Sequence, residues 1–517
     1  MDKKYYITTP LYYVNAKPHI GHAYTNILCD TFTRFYRFQN KDVFFMTGTD
    51  EHGTKIEKTA LEKGKTPQEY VDEIVPHFKS LWEKLGIKHD YFIRTTDQQH
   101  KDVVQKILID LEAKGEIYKA TYCGWYSIKS ETFYKESELV EGRCPDTGGE
   151  VQKIEEENYF FKMSKYQQWL IDYIQAHPDF IQPEMRKNEV LGFLKEPLED
   201  LCITRPKERL TWGIEYPGSE NHVIYVWFDA LINYVSGAGY AWDDARFESL
   251  WPADIHVVGK DILRHHAVFW PIMLKACGLE MPRSVLAHGW WTMQGSKMSK
   301  STGNIVDPVE LIEKYGVDPL RYFLINEVTV GYDGAYSEEL LRERYRTDLA
   351  NDLGNLFFRT ASMIGKYYDS KIPEVSTDLA QLELIQQTYA LYDQVREAMD
   401  AKNPRQALSP IWSVISRANQ FVEERAPWKL AKDPAQSAVL AETMFALADS
   451  LAHIACLLQA FLPTTAEKML HCLGVASPFA LNEAQDFRKA FVQSGQSIER
   501  GEPLFPKLED EETVVKS

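Results

Sequence analysis

Two distant runs of this chain carry residues that can handle phosphate. Gly295 to Asn304 reads GSKMSKSTGN, with Lys297 and Lys300 three positions apart and Met298 as the one sizeable apolar residue. Ser, Thr and Gly at this density predict a solvent-facing loop. A flexible lysine on such a loop is a mobile point charge suited to phosphate oxygens. Far upstream, Pro18-His19-Ile20-Gly21-His22 sets two histidines three apart at the expected start of a helix, where both point to one side. Histidine donates hydrogen bonds to phosphate oxygens and carries charge near neutral pH. A helix N-terminus adds attraction for anions, and Gly21 has no Cβ to hold a backbone or base away. A third feature, Asp50 in Thr49-Asp50-Glu51-His52-Gly53, closes a predicted strand. One carboxylate in an otherwise uncharged pocket suits an ammonium, such as the amine of an amino acid. No GxGxxG accompanies these residues, which disfavours a dinucleotide site.

The elements around them must place both loops on one edge. Residues 4–9, KYYITT, predict a buried strand, Leu11 to Gly21 a loop, Ala23 to Gln39 a helix and Val43 to Met46 a second strand. Strand, loop, helix, strand opens a doubly wound, Rossmann-like α/β sheet, whose ligands lie beyond the carboxyl ends of its strands. Thr66-Pro67 starts a further helix to about Leu85, which Pro76 should kink or split. Strand Tyr91 to Arg94 and helix Gln98 to Lys114 extend the pattern. Short strands then fill residues 117 to 155, and residues 159 to 186 return to helix. His222 to Tyr234 is a strand entering a helix, with Asp229 at the turn between them. Strand Ile255 to Val258 ends at Gly259-Lys260-Asp261 and precedes a helix bearing His265, His266 and Trp270. From Asp307 the periodicity is helical, with segments near 308–315, 319–325, 337–376, 382–400, 404–426 and 436–459. That is a helical bundle. The polar tail from about residue 478 should fray.

This gives a domain plan. Residues 1–115 and 221–290 form the two halves of the α/β domain, with 116–220 an insertion. Residues 291–345 hold the lysine loop and a linking region, 346–475 the bundle and 476–517 a tail. In the insertion, Gly142 to Gly149 has the turn chemistry of a zinc knuckle with one thiol, Cys144. Ser127 and Ser130 stand where the partner pair would be, Cys123 is poorly spaced, and a structural zinc needs four Cys or His ligands. No zinc is expected.

Composition narrows the class. A chain of 517 residues with formal charge -17 and a pI near 5.4 shows no overall basic bias toward nucleic acid, though local patches decide binding. Seven scattered cysteines without a tight pair fit a reducing cytoplasm. The N-terminus lacks a full apolar signal core, and no run of about 18 uncharged apolar residues predicts a membrane span.

Taken together, HIGH followed by KMSKS resembles the paired signature of class I aminoacyl-tRNA synthetases. TPLYYVNAKPHIGHAY, FFMTGTDEHG, YVWFDALINY, HVVGKDIL, GSKMSKSTGN and FVEERAPWKLAK, in that order, are similar to blocks of the methionyl-tRNA synthetase family, up to about residue 470. Cysteinyl relatives would carry active-site zinc cysteines, and leucyl, isoleucyl and valyl ones a larger insertion. The resemblance implies activation of L-methionine with ATP and Mg²⁺ to methionyl-adenylate, then transfer to the terminal adenosine of initiator and elongator tRNA(Met). It implies phosphate stabilisation by His19, His22, Lys297 and Lys300, and nucleotide contacts at Gly21, Gly259, Asp261, Ser299 and Ser301. It implies a methionine pocket of Leu11, Tyr13, Asp50, Trp227, Ala230, Tyr234 and His266, and anticodon reading by Asn355, Arg359 and Trp428. A thioether favours aromatic contacts, and unstacked loop bases are read by stacking and edge hydrogen bonds. The family's knuckle cysteines are replaced by Ser127, Ser130 and Thr147 beside Cys144, with the knuckle expected to persist on the packing of Trp125, Phe133 and Tyr134. The chain also stops short of the C-terminal tRNA-binding appendage through which longer members dimerise, so a cytoplasmic monomer is expected. A nucleotidyltransferase or a non-catalytic RNA-binding paralogue are the rival readings. The first would lack the helical domain, and the intact histidines and lysines speak against the second.

Overall fold

The computed structural model describes residues 3–127, 132–134, 136–293, 296–297, 306–376, 378–476 and 487–508. It divides into two compact units: Met1–Asn26, Val43–Glu83 and Lys88–His288 in one, Ile27–Asp42, Lys84–Ile87 and Gly289–Ser517 in the other.

The first unit is built on a six-stranded parallel sheet. Its strands are β1 (Tyr5–Tyr13), β2 (Val43–Asp50), β3 (Tyr91–Arg94), β4 (Ile181–Gln182), β5 (Ile255–Gly259) and β6 (Val285–His288), in spatial order β3-β2-β1-β5-β6-β4. Every ladder is parallel. The order runs outward from β1 in one direction and from β5 in the other, so the switch point lies between them, and the crevice beyond their carboxyl ends is the expected ligand site. Burial on both faces explains the near-continuous apolar runs: Tyr6, Ile7, Phe45, Met46, Val257 and Val258 are all fully buried.

Strand β1 reaches four residues beyond the expected end at Thr9. Its register against β2 slips between Thr8 and Leu11, where two residues, Thr9 and Pro10, oppose Thr47 alone. Pro10 sits in that bulge and has no ladder hydrogen bond to donate there. Leu11 and Tyr13 are therefore strand residues, opposite Gly48 and Asp50. Strand β2 likewise continues past Met46 to Asp50. Helix α1 (Ile20–Phe38) starts three residues earlier than the sequence suggested.

Helix α2 (Pro67–Lys84) is one helix through Pro76. Thr66 and Glu69 close a reciprocal cap at its start, with N–H to side-chain distances of 2.9 and 3.3 Å. Tyr70, Ile74, Phe78 and Trp82 hold its inner face, while Pro76 lies on the exposed side of the helix, away from that packing. Helix α3 (Gln98–Ala113) follows β3.

The insertion is a four-stranded antiparallel sheet in the order Thr132–Tyr134, Ile117–Ser127, Gln152–Phe161, Leu201–Cys202. Residues 159–161 are strand, not helix: Phe160 and Phe161 pair with Tyr118 and Ile117, and the helix begins at Gln167. Helix α4 (Val226–Ser236) follows the short strand His222–Ile224.

The second unit contains the bundle helices α5 (Asn355–Tyr368), α6 (Glu383–Asp400), α7 (Pro404–Arg425), α8 (Ser437–Leu458) and α9 (Pro463–Cys472). By length and composition α8 could cross a membrane, yet from Met444 to Leu458 every residue is buried, as in the core helix of a bundle. Arg321 is fully buried there, paired with Asp30 of α1 at 2.7 Å and donating to the carbonyls of Phe461 and Leu85. Such a pair holds its geometry because every extra proton finds an acceptor.

The tail departs from expectation. Among its described residues, Phe487, Val492 and Ile498 are buried, Ser497 bridges Lys371, and the Tyr345 hydroxyl donates to the Pro506 carbonyl at 2.6 Å. Apolar side chains spaced through a polar segment, too sparse for a periodic signal, fasten it.

Candidate active site and RNA-facing surface

Beyond the end of β1, His19 and His22 fold against each other. Their ring centroids lie 3.9 Å apart. The backbone N–H of His19 donates to His22 Nδ1 at 3.0 Å, and that of Gly21 donates to His19 Nδ1 at 3.1 Å. Both Nδ1 atoms are thus acceptors, so each neutral ring carries its proton on Nε2, the tautomer that donates outward. A Cβ on Gly21 would stand 2.9 Å from His19 Cε1, so glycine is what lets that ring fold back. Tyr12 packs edge-on to His22 at 5.2 Å. Beyond β5, Gly259 leads into a turn at Lys260–Ile262 bearing exposed Asp261, whose carboxylate a Cβ at Gly259 would meet at 2.6 Å.

Asp50 ends β2 and is 7% exposed. The next residue, Glu51, is fully buried and held by both guanidinium arms of Arg94 at 2.7 and 2.8 Å, with the Thr49 and Thr96 hydroxyls each at 2.6 Å. Glu51 is a structural carboxylate with every lone pair occupied, unlike its neighbour in position and role.

An aromatic wall comes from α4 and a π-helical turn at His265–Phe269. Trp227 stacks on His265, centroids 3.7 Å apart and planes 19° from parallel. Ala230 lies one turn on. Tyr234 is buried, with its hydroxyl 2.7 Å from His266 Nε2. His266 Nδ1 lies 2.8 Å from the Ile262 carbonyl, which can only accept. Nδ1 therefore carries the proton and Tyr234 donates to Nε2. Burial pushes His266 down to about 4 and His265 to about 3, so both are neutral at physiological pH. His256, opposite Thr8 in the β1–β5 ladder, is also held well below its ordinary value by burial. Two histidines six and seven residues past a β-strand in sequence gave no hint of a π turn, which places successive residues toward both Trp227 and Tyr234.

A buried network went unread in the sequence. Asp229 lies in the first turn of α4 itself rather than in a turn before it, and is fully buried. It accepts from His52 Nδ1 and from His100 Nε2, each at 2.7 Å, and His100 Nδ1 meets the Ser236 hydroxyl at 2.8 Å. Burial alone would raise the Asp229 carboxyl, but His52 and His100 hold it below the usual range. The available signal was an aspartate in an otherwise apolar helix, which requires a partner.

Of the lysine loop, the backbone of Lys297 lies in the two-residue strand Ser296–Lys297, antiparallel to Trp291–Met293. Ser299, Lys300 and Ser301 lie outside the described residues, as does Ser130.

Asn355, Arg359 and Trp428 come together in the second unit. Asn355 and Arg359 are one turn apart on α5. The Arg359 guanidinium lies 5.8 Å from the Trp428 ring centroid and 2.9 Å from Glu423. Helix α7 ends at Ala426 with φ 43°, and Pro427 starts a new turn that lifts Trp428 to the edge, half-exposed. In the insertion, the knuckle turn closes on its own backbone: Cys144 N–H donates to the Gly149 carbonyl at 2.9 Å and Gly148 N–H returns to Cys144 at 2.8 Å. The Tyr134 hydroxyl donates to Asp146 at 2.8 Å.

Comparison with known proteins divides the chain later, between residues 361 and 372. The family described as tRNA synthetases class I (M) matches residues 5–156 and 147–361, and the anticodon binding domain of methionyl tRNA ligase matches 372–515. The chain is 47% identical to a methionine–tRNA ligase of Caldanaerobacter subterraneus over 517 residues, 100% of this chain and 80% of the relative. It is 46% identical to that of Bacillus subtilis, covering 99% of this chain and 79% of the relative. Among solved structures, Mycobacterium tuberculosis methionyl-tRNA synthetase in complex with methionyl-adenylate is similar at 41% identity and a TM-score of 0.93, covering 98% of this chain and 100% of that one.

Proposed function

The chain belongs to the methionyl-tRNA synthetase family, and on that premise we propose which of its residues carry each step. Its reaction is that of a methionine–tRNA ligase: methionine is activated with ATP to methionyl-adenylate, pyrophosphate leaves, and the methionyl group passes to tRNA. The observation that carries the assignment is the placing of the His19–His22 pair and Asp50 beyond adjacent strand ends of one sheet, with an aromatic wall of neutral groups in the same unit.

In activation the methionine carboxylate attacks the α-phosphorus, forming one P–O bond as the bond to pyrophosphate breaks. No protein nucleophile is required, so catalysis is positioning plus charge stabilisation. His19 and His22 present Nε2–H donors to the phosphoryl oxygens. Lys297 and Lys300 supply positive charge to the triphosphate. Gly21, Gly259, Asp261, Ser299 and Ser301 contact the nucleotide. Asp50 holds the ammonium of methionine. Leu11, Tyr13, Trp227, Ala230, Tyr234 and His266 enclose its side chain, with Tyr234 and His266 satisfying each other so that neither turns an unpaired ring nitrogen or hydroxyl proton to a thioether. In transfer, a ribose hydroxyl of the terminal adenosine of initiator or elongator tRNA(Met) attacks the adenylate carbonyl and AMP leaves. Asn355, Arg359 and Trp428 read the CAU anticodon.

Mg²⁺ arrives with the triphosphate, whose oxygens suit it. Among the described residues no group of three His, Cys, Asp or Glu gathers to hold a metal. Ser127, Cys144 and Thr147 make a poor zinc set, so the knuckle turn stands on its own hydrogen bonds, and metal analysis of protein purified without chelator should find no stoichiometric zinc. The enzyme acts as a monomer in the cytoplasm. Pyrophosphate–ATP exchange with all twenty amino acids tests the whole reading. Exchange strongest with methionine supports it, and exchange with another amino acid, or with none, overturns it.

A further inference from the structure

The buried histidines and carboxylate behind the pocket have no place in the reaction as just described. His52 lies two residues past Asp50, on the loop that leaves β2. Asp229 lies on α4 between Trp227 and Ala230. Its two carboxylate oxygens take one N–H each from His52 and His100, both at 2.7 Å, and His100 is fixed in turn by Ser236, near the end of the same helix. All four side chains are buried. Three elements, the β2 loop, α3 and α4, therefore meet at one carboxylate with no slack. The ammonium end of the substrate belongs to the β2 side of this junction and its side-chain end to the α4 side.

We propose that Asp229, bridged to His52 and His100, is a positioning residue that sets the span between Asp50 and the Trp227–Ala230 wall, and so gauges the length of the amino acid's side chain. This rests on the reading of Asp50 and Trp227 as methionine-binding residues. A carboxylate accepting two N–H bonds is what the junction needs, since an amide in its place turns a donor toward one of the histidines. The wall then shifts relative to Asp50, and displacements of about 1 Å are enough to cost on the order of 10²-fold in rate.

The test compares Asp229→Asn with His52→Gln, which keeps a donor for Asp229, and with His52→Leu, which does not. Exchange kinetics are measured on titrated active sites with methionine, ethionine and homocysteine, and with ATP varied separately. In Asp229→Asn and His52→Leu, the methionine KM should rise about 10- to 100-fold, ATP KM should stay within about twofold, and preference for methionine over the longer and shorter analogues should fall about tenfold. His52→Gln should recover most of both losses. Should Asp229→Asn fail to fold, the two His52 variants decide alone. Unchanged analogue preference, or equal losses for methionine and ATP, overturns the gauge in favour of a purely structural junction. Asp50→Asn run in parallel separates the two levels. If it cripples methionine use while Asp229→Asn and His52→Leu spare it, the pocket stands and the gauge falls. If Asp50→Asn is itself neutral, the pocket reading fails and takes the gauge with it.

Discussion

The proposed methionine pocket and the proposed anticodon-reading face of Asn355, Arg359 and Trp428 use the same side-chain types in opposite ways. In the pocket, Tyr234 and His266 are buried and bonded to each other at 2.7 Å, and half-buried Trp227 stacks on neutral His265 at 3.7 Å. On the bundle, Trp428 is half-exposed and Arg359 divides itself between Trp428 and exposed Glu423. The difference suits the ligands proposed for the two sites. Methionine is small and differs from its analogues by a methylene or so, worth about 1–3 kcal/mol, so the shape of its site must be fixed before it arrives. An RNA loop is large and must be splayed open, and its bases are captured by groups that can leave a weak surface partner for a stronger one.

If that contrast is right, the largest loss comes from removing a buried charge partner. Asp50→Ala should cost methionine activation roughly 3–5 kcal/mol, since it leaves an ammonium without its carboxylate, while ATP binding survives. Unchanged KM and kcat for methionine would remove Asp50 from the pocket. Lys300→Ala sits a step lower. Loss of one donor to the reacting phosphate should slow adenylation by about 10²–10³ with methionine affinity little moved, and a near-normal exchange rate would take Lys300 out of the chemistry.

Acid separates the two regions by sign. His266 has its pKa lowered to about 4 from 6.5, so between those values the unfolded chain binds a proton that the folded one does not. Its contribution is whole above pH 6.5 and is lost as pH falls, by roughly 2 kcal/mol at pH 5; His256 and His265 act in the same direction. In the bundle unit, burial raises the Asp318 and Asp449 carboxyls. Those groups contribute stability below about pH 3.8 and lose it as pH rises through their folded values. Calorimetry from pH 7 to 5 should therefore show the first unit weakening, and His266→Gln should flatten that slope. An identical slope in the variant would mean that His266 takes up its proton without loss.

How much of this was visible in the sequence depends on whether the signal was local. His19, Gly21, His22 and the strand-end Asp50 could be placed because a loop after a strand in a doubly wound sheet has one destination. The bundle helices could be placed because their periodicity is long and their prolines punctuate it. What escaped reading was set by long-range partners. Pro10 ends a strand in isolation, yet a bulge against β2 carries β1 past it. Asp229 looks like a turn residue until His52 and His100, far apart in the chain, arrive on either side. The tail looks frayed because the groups that fasten it, Tyr345 and Lys371, lie more than a hundred residues upstream. Arg321 and Asp30 give no sign of each other at all.

The smallest expected effect is also the most selective one. Trp428→Ala should leave adenylate formation without tRNA near normal, because none of the residues proposed for that chemistry lies on the bundle helices. Charging of tRNA(Met) should fall by about 1–3 kcal/mol, the worth of one base stacked on an aromatic ring, or somewhat more if Arg359 loses the ring it rests on and turns wholly to Glu423. The rival is a core role, in which truncating the indole would destabilise the bundle by roughly 3–5 kcal/mol. Its half-exposure on the one-turn segment after Pro427 argues for a lighter structural cost. Two readings of the same variant separate these roles. A melt close to that of the parent chain, with preference for CAU over an altered anticodon reduced, is what a base-stacking residue gives. A collapsed melt makes Trp428 a packing residue, and full charging with the preference intact removes it from anticodon reading. Replacing Trp428 with Phe refines the outcome: a smaller ring keeps a stacking face and should restore part of the preference, whereas Leu, of similar apolar bulk but without a π-face, should not.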